Sequence, residues 1–258
     1  EASNIYAIKD GKPVQVARFF NENRISVGFD EISPNMLRAA VDTEDPRFYE
    51  HGGVDWVSLT RATLTNLLKA GKGPGGSTIT MQYVKNNLLE AAILSGDAEA
   101  IAMQTDRAHA LQRKFQEVRL ALALEKNYSK QEILAGYLNL SFFGTNINGV
   151  EAASEYYFGV HAKDLDVPQA AMLTAMLKGA ELYRPDVEEN KDRALNRRNY
   201  VIQNMADAGD ISQAEADAYK ATPIKLNINK VPVGCEADQA TAFFCDYVVW
   251  SIRNSPEF

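Results

Sequence analysis

Val41-Asp-Thr-Glu-Asp-Pro-Arg-Phe-Tyr-Glu-His-Gly-Gly-Val-Asp55 and, after a helical spacer, Gly75-Gly-Ser-Thr-Ile-Thr-Met-Gln-Tyr-Val-Lys-Asn-Asn87 decide how the rest of this chain is read. They bring a carboxylate pair (Glu44, Asp45), an imidazole (His51), a further carboxylate (Asp55), three hydroxyls behind a glycine turn (Ser77, Thr78, Thr80), an amide (Gln82) and a cation (Lys85) into one short segment. Such a set suits acid/base chemistry on a polar, anionic substrate.

Local signals place these groups on helices. Ser33-Pro34 is an N-cap and first-turn pair, so a helix through Met36, Leu37, Ala40 and Val41 delivers Glu44 near its C-terminal end, and Pro46 stops it. Asp55 caps a second helix, with Val57, Leu59, Leu64, Leu67 and Leu68 expected inward and Gly71 at its end. After the loop from Gly71 to Gly76, Ser77 is expected to cap a third helix, so that backbone N–H groups and hydroxyls converge on one spot. On the residues alone, Glu44 reads as a general base or as one member of a solvated acidic turn. His51 alone reads as a structural hydrogen-bonding residue or as a proton-transfer group. The Gly-Gly-Ser-Thr turn lacks the Gly-Lys-Ser/Thr ending of a nucleotide-binding loop. Together with Lys85, a little over two turns along the helix, it can still hold a pyrophosphate.

Further out, residues 1–31 alternate apolar and polar side chains around Asp10-Gly11, as in a hairpin or extended lead-in. Asp97 to about Lys126 is strongly helix-forming, and Ser129-Lys-Gln-Glu132 is a capping box for a helix that carries Ile133, Leu134, Tyr137 and Leu138 up to Asn139. Helices are expected from Val150 to Phe158, Val167 to Lys178 and Val187 to Ala208, with one more capped by Ser212 and Glu215. Pro223 to Pro232 alternates like a strand, which places a domain boundary close to Thr222.

Composition narrows the function classes. A chain of 258 residues with 46% hydrophobic side chains buries an ample core. A net charge of -7 argues against a nucleic-acid partner, so an anionic substrate has to be met by local cations. No apolar run reaches the length of a membrane span, the longest being Ala170 to Leu177, and the opening Glu-Ala-Ser-Asn is not a leader. Cys235 and Cys245 lie ten residues apart, which suits a short-loop disulfide or two buried thiols.

The quoted residues resemble the first two signature motifs of the peptidoglycan glycosyltransferases of family 51, the transglycosylase domain of class A penicillin-binding proteins. Arg113-Lys114-Phe-Gln-Glu117 resembles the third motif, Lys130 to Asn139 the fourth, and Asn148 to Gly159 the fifth. Five matches in order, across residues 36–185, cover more than half the chain. Three departures stand out: Met81 replaces a common glutamine, the interval from Lys85 to Arg113 is long, and Leu177-Lys-Gly-Ala-Glu-Leu-Tyr-Arg-Pro185 replaces a proline-rich block.

The resemblance implies a mainly α, lysozyme-like fold with a large lobe and a small jaw lobe, and short β elements at the N- and C-terminal ends. It implies a lead-in at 1–31 following a membrane anchor absent from this chain, a glycosyltransferase domain at 32–222, and a linker with the start of a truncated transpeptidase region at 223–258. The activity implied is polymerisation of lipid II into glycan strands with inversion at the donor carbon. Glu44 would be the general base and Glu117 the second catalytic carboxylate. Asp45, Phe48, His51, Ser77, Thr78, Gln82, Lys85, Arg113, Lys114 and Asn139 would serve the substrate, with Arg113, Lys114 and Lys85 facing the diphosphate. Asp55 and Gly76 would be structural, and Cys235 and Cys245 a disulfide candidate. No cofactor is required, with Mg2+ or Mn2+ beside Glu117 as an optional ion. Expected partners are lipid II, the growing lipid-linked strand, the membrane surface through the jaw region, and other cell-wall synthesis proteins; the jaw residues Leu88, Leu89, Ile93, Leu94, Ile101 and Met103 either dip into lipid or pack on the domain's own core. The implied place is the outer face of the bacterial cytoplasmic membrane. A lysozyme-like lytic enzyme and an inactive glycan-lipid binding module are the rival readings.

Overall fold

The structure, a computed structural model, describes residues 3–19, 23–68, 76–229 and 242–255. Strands β1 (Ser3–Lys9) and β2 (Lys12–Phe19) form the expected antiparallel hairpin, turning at Asp10-Gly11 where both residues have positive φ. A two-residue strand β3 (Asn23–Arg24) follows. Next come α1 (Pro34–Glu44), α2 (Trp56–Leu68), α3 (Ile79–Ser95), α4 (Ala98–Thr105), α5 (Ala110–Leu124) and α6 (Lys130–Leu140). A short β4 (Ile147–Asn148), parallel to β3, leads into α7 (Val150–Phe158), α8 (Val167–Leu177), α9 (Ala180–Tyr183), α10 (Lys191–Ala208), α11 (Gln213–Ala221) and α12 (Ala242–Asn254).

The main core is built around α8, whose residues from Ala170 to Met176 are all buried. Small side chains let the helices approach closely. Ala39 and Ala40 of α1, Ala171 and Ala175 of α8, and Ala194 of α10 are fully buried where these three helices meet. A second, smaller apolar cluster of Val54, Met81, Val84 and Ala121 joins α3 and α5. These two clusters match the expected division into a large and a small lobe. The mainly α fold class is thereby borne out.

Helix ends follow their caps. Ser33 Oγ accepts the Asn35 N–H at 3.2 Å and donates to the Leu165 carbonyl at 2.8 Å, which ties the start of α1 to the approach to α8. The boxes Ser129/Glu132 and Ser212/Glu215 are both formed. Arg198 is buried, and its guanidinium donates to the carbonyls of Thr222 (2.8 Å) and Lys220 (3.3 Å), closing the C-terminal end of α11. Gly53, at φ +92, lies where a Cβ would come within 2.7 Å of the Ala121 carbonyl oxygen. Gly76 packs so tightly on α2 that a Cβ would sit 2.9 Å from that of Ala62.

Several expectations are corrected. The helix-forming run from Asp97 to Lys126 is broken at Asp106, which leaves α-helical dihedrals, and the Arg113 guanidinium donates to the Asp106 carbonyl at 3.2 Å. The cap of α3 is Thr78, whose Oγ1 accepts the Met81 N–H at 3.1 Å, rather than Ser77. Val57, expected inward, is 54% exposed, because α2 turns Ala62 and Leu59 toward its neighbours instead. Helix α10 starts at Lys191 instead of Val187, the intervening Glu188–Asn190 forming a tighter 3₁₀ turn. The C-terminal β element does not form over residues 223–229. Asn227 and Asn229 donate their N–H groups to the Tyr157 and Tyr156 carbonyls at 2.9 and 2.8 Å, while Ile224, Leu226 and Ile228 pack on the main core. Alternation there reports one-sided packing of an extended segment on a helix. Cys245 is buried and disulfide-bonded, while Cys235 lies outside the described residues.

Asp42 of α1 faces Asp210, just beyond the C-terminal glycine of α10. Burial, and then the neighbouring Asp210 carboxyl that it hydrogen-bonds when protonated, push the Asp42 carboxyl up from 3.8 to about 7, against the pull of Arg38. The native state therefore holds a proton that the unfolded chain releases, and stability falls as pH rises from 3.8 to about 7. Asp42→Asn should flatten this decline and melt higher than the parent at about pH 8, measured by circular dichroism from about pH 4 to about pH 8.

Candidate active site

Glu44 ends α1, and the turn after it is set by Pro46. Its Oε2 accepts from Gln82 Nε2 at 3.1 Å, and Gln82 Oε1 in turn accepts from the Tyr137 hydroxyl at 3.1 Å. Tyr137 is buried, and burial followed by the nearby Glu44 charge pushes its hydroxyl well above the usual range. It therefore stays a donor, which fixes the end of the Gln82 amide that meets Glu44. Glu44 Oε1 lies 3.9 Å from the Arg197 guanidinium, which rests over the Tyr200 ring at 4.6 Å. That distance is beyond a hydrogen bond, so Oε1 keeps lone pairs for a proton.

Glu117, on α5, lines the same cavity of about 450 Å³, together with Ser77, Gln82, Lys85, Lys178 and Arg197. The Glu117 carboxylate is buried and meets Lys114 Nζ at 3.0 Å and Arg113 Nε at 3.8 Å. Lys114 Nζ also donates to Ser77 Oγ at 2.6 Å, joining α5 to the turn before α3. Lys85 is exposed on the rim and has no hydrogen bond or ion pair among the described residues. The cavity thus sets two carboxylates amid several cations, within a chain of net charge -7.

The other sequence-selected residues form the support of this cavity. Asp45 is buried and shares its carboxylate between His51 Nε2 (3.0 Å to each oxygen) and the Ile79 N–H at the start of α3 (3.0 Å). Thr78 Oγ1 donates to the Gly53 carbonyl at 2.6 Å. Phe48 is buried with Lys130 Nζ 4.3 Å from its ring centre. Asp55 caps α2 through the Val57 and Ser58 N–H groups, both at 3.0 Å, and pairs with Arg47. Burial opposes its charge, but the hydrogen bonds from Arg47 and Ser58 prevail and hold it below the usual carboxylate range. Asn139 makes a two-way amide pair with the Val27 backbone, at 2.8 and 3.1 Å. None of Asp45, Phe48, His51, Thr78, Asp55 or Asn139 lines the cavity.

Sequence reasoning missed Lys178, Arg197 and Tyr200. The only available signal was the adjacent pair Arg197-Arg198 in a helix: consecutive residues point about 100° apart, so one can cap α11 while the other faces the cavity. Lys178 sits in the block that departs from the family pattern.

A divalent ion beside Glu117 is poorly matched by the residues there. Both flanking side chains are cations, and the trio of metal-capable groups found among the described residues, Glu151, Glu155 and His161, lies elsewhere.

The family model for transglycosylases matches residues 10–206. The chain belongs to the transglycosylase family. Penicillin-binding protein 1F of Bacillus subtilis is 37% identical over 250 residues, covering 97% of this chain and 32% of that protein. Penicillin-binding protein 2a of Streptococcus pneumoniae is 43% identical over 189 residues, covering 72% of this chain and 23% of its own length. Penicillin-binding protein 1A of Escherichia coli is 34% identical over 222 residues, covering 86% and 24%. The chain thus spans a quarter to a third of the length of these relatives. The crystal structure of penicillin-binding protein 1A from Haemophilus influenzae aligns with a TM-score of 0.49 at 20% identity, over 93% of this chain and 22% of that one. The resemblance read from the motifs, and with it the enzyme class of peptidoglycan glycosyltransferase, is borne out at the level of the family.

Supporting and cavity-facing residues of this transglycosylase should separate experimentally. Asp45→Ala should lower stability by about 2 kcal/mol, since it strands the buried Ile79 N–H and the half-buried His51 imidazole. Lys85→Ala should stay within about 0.5 kcal/mol of the parent. Urea denaturation of the two variants makes the comparison.

Proposed function

We propose that this transglycosylase domain polymerises lipid II, with Glu44 as general base. The observation that carries this reading is a single cavity lined by Glu44 and Glu117 together with Ser77, Lys85, Lys178 and Arg197, with Lys114 bonded to both Ser77 and Glu117. The Glu44 carboxylate takes the proton of the acceptor 4-hydroxyl as that oxygen attacks the anomeric carbon of the lipid-linked donor strand. The new carbon–oxygen bond forms on the face opposite the departing diphosphate, so the configuration inverts. The electrons of the broken bond leave on the diphosphate oxygen, where the cations of the cavity offset the charge. Gln82 and Tyr137 hold the base in place, and Glu117 orients Lys114 and Arg113.

A diphosphate is a good leaving group once its charge is neutralised, which makes a separate general acid less necessary. A lytic enzyme acting on neutral glycan has no such use for the cations. The ammonium and guanidinium groups that line the cavity can supply this neutralisation, and the step is assigned to side chains.

Membrane contact is assigned to the tip of the smaller lobe. Leu94 is 79%, Leu111 88% and Phe115 73% exposed there, an apolar end suited to lie in the lipid interface at the outer face of the cytoplasmic membrane. No helix among the described residues is long and apolar enough to cross a membrane.

Incubation of the purified chain with lipid II, followed by gel separation of the glycan products, tests the assignment. Glu44→Gln should lower polymerisation by about 1000-fold or more with the melting temperature retained. Tyr137→Phe should lower it about fivefold through the loosened Gln82. EDTA should leave the rate unchanged. A Glu44→Gln variant that polymerised normally would remove the base from the scheme, and release of reducing ends from mature glycan would favour a lytic enzyme.

A further inference from the structure

Three side chains with metal-binding atoms converge where α7 gives way to the turn before α8. Glu151 and Glu155 are one helical turn apart on α7, so their carboxylates leave the same face. Gly159, at φ +67°, ends the helix in the left-handed conformation and turns the chain back, which brings His161 to that face. The imidazole Nδ1 lies 2.6 Å from Glu151 Oε1 and 3.7 Å from Glu155 Oε1. One donor atom from each of the three falls within 4.8 Å of the other two. None of them lines the acid/base cavity.

The charges in this cluster do not balance. Glu151 is 6% exposed, and neither it nor Glu155 has a lysine or arginine partner among the described residues. A protonated His161 would offset one of the two carboxylates and leave the other, and like charges one turn apart repel. A buried carboxylate needs compensation from a partner, because water does not reach it. The second oxygen of Glu151 is already committed, accepting the Ala162 N–H at 2.6 Å. That bond fixes the carboxylate and leaves Oε1 facing the imidazole. Metal ligands are commonly steadied in this way by a hydrogen bond to their other end.

A divalent cation supplies the missing charge at the point where the donors meet. Two carboxylate oxygens and a nitrogen held tetrahedrally at about 2.1 Å from one ion lie about 3.4 Å from each other. The observed 2.6 and 3.7 Å bracket that spacing. The imidazole selects the ion: Mg2+ and Ca2+ take all-oxygen sets, whereas nitrogen together with carboxylate suits Zn2+. We propose that Glu151, Glu155 and His161 form a zinc site, with water in the fourth position on the open side, where the His161 side chain is 62% exposed. Its role is structural. The Ala162 carbonyl accepts the Ser33 N–H at 3.0 Å, and Ser33 caps α1. Zinc therefore ties α7 to the segment on which the start of α1 rests, and its occupancy is independent of the proton transfer assigned to Glu44.

The test takes the full chain, stripped with EDTA and dialysed, and titrates it with zinc chloride by calorimetry. One zinc should bind per chain, and zinc at roughly a hundredfold excess over the dissociation constant should raise the melting temperature by about 5 °C. His161→Ala and Glu155→Gln should each weaken binding at least about tenfold. His109→Ala, at the start of α5, should change it by less than about twofold. Co2+ in place of zinc should give visible absorption bands that His161→Ala lacks. Melting curves without metal establish that the variants are folded, and Glu155→Gln carries the test if His161→Ala is not. Failure of the parent protein to bind zinc, or binding that both variants retain, overturns the site. So does loss of binding in His109→Ala alone, or displacement of the zinc by an equal concentration of Mg2+. A protein that binds zinc with these losses but does not polymerise lipid II keeps the zinc site and loses the proposed activity.

Discussion

The buried carboxylate of Asp45 holds three parts of the chain at one point. Its own residue follows the last turn of α1, one oxygen accepts the first N–H of α3, and both oxygens face the imidazole of His51 in the connecting loop. A negative charge at a helix N-terminus is favourable, and in a dry site it cannot be replaced by water. Because Glu44 is the preceding residue, this contact sets how far the proposed base stands from Gln82, three residues beyond Ile79. Phe48 and Thr78 reinforce the same joint from two sides. The motif that looked in sequence like a list of reactive groups is, in large part, the frame that holds one of them.

That distinction marks what sequence could convey. Helix ends were legible because their signals are local: a serine or aspartate oxygen reaches an N–H two or three residues on, as at Ser33, Asp55, Ser129 and Ser212. The hairpin at Asp10-Gly11 was legible for the same reason. The split between supporting and cavity-facing side chains was not. Ser77 and Thr78 are neighbours of similar chemistry, yet one caps α3 and the other meets Lys114, a partner 37 residues away. The break at Asp106 had only a weak local signal, the poor helix formers Thr105 and Asp106 within an otherwise helix-favouring run, and α4 packs on both α3 and α5. Residues 223–229 show the period of a strand without a strand partner, because alternate burial is all that period encodes.

Charge is distributed against the average. The chain is acidic overall, yet Lys85, Lys178, Arg197 and Lys114 gather about two glutamates. Screening by salt limits distant acidic residues to weak effects, whereas groups lining a recess act at short range and low dielectric.

Arg197 and Arg198 sit side by side in α10 and serve different faces of the helix, one above Tyr200 at the cavity and the other bonded to the carbonyls that end α11. Their division of labour depends on rotational phase. Deleting or inserting one residue between Lys191 and Arg197 would swing both guanidinium groups by about 100°, leaving the carbonyls at the end of α11 without their donor and the cavity without Arg197. Indels in this stretch of α10 are therefore far less tolerable than point changes on its outer face, and length here is under tighter constraint than composition.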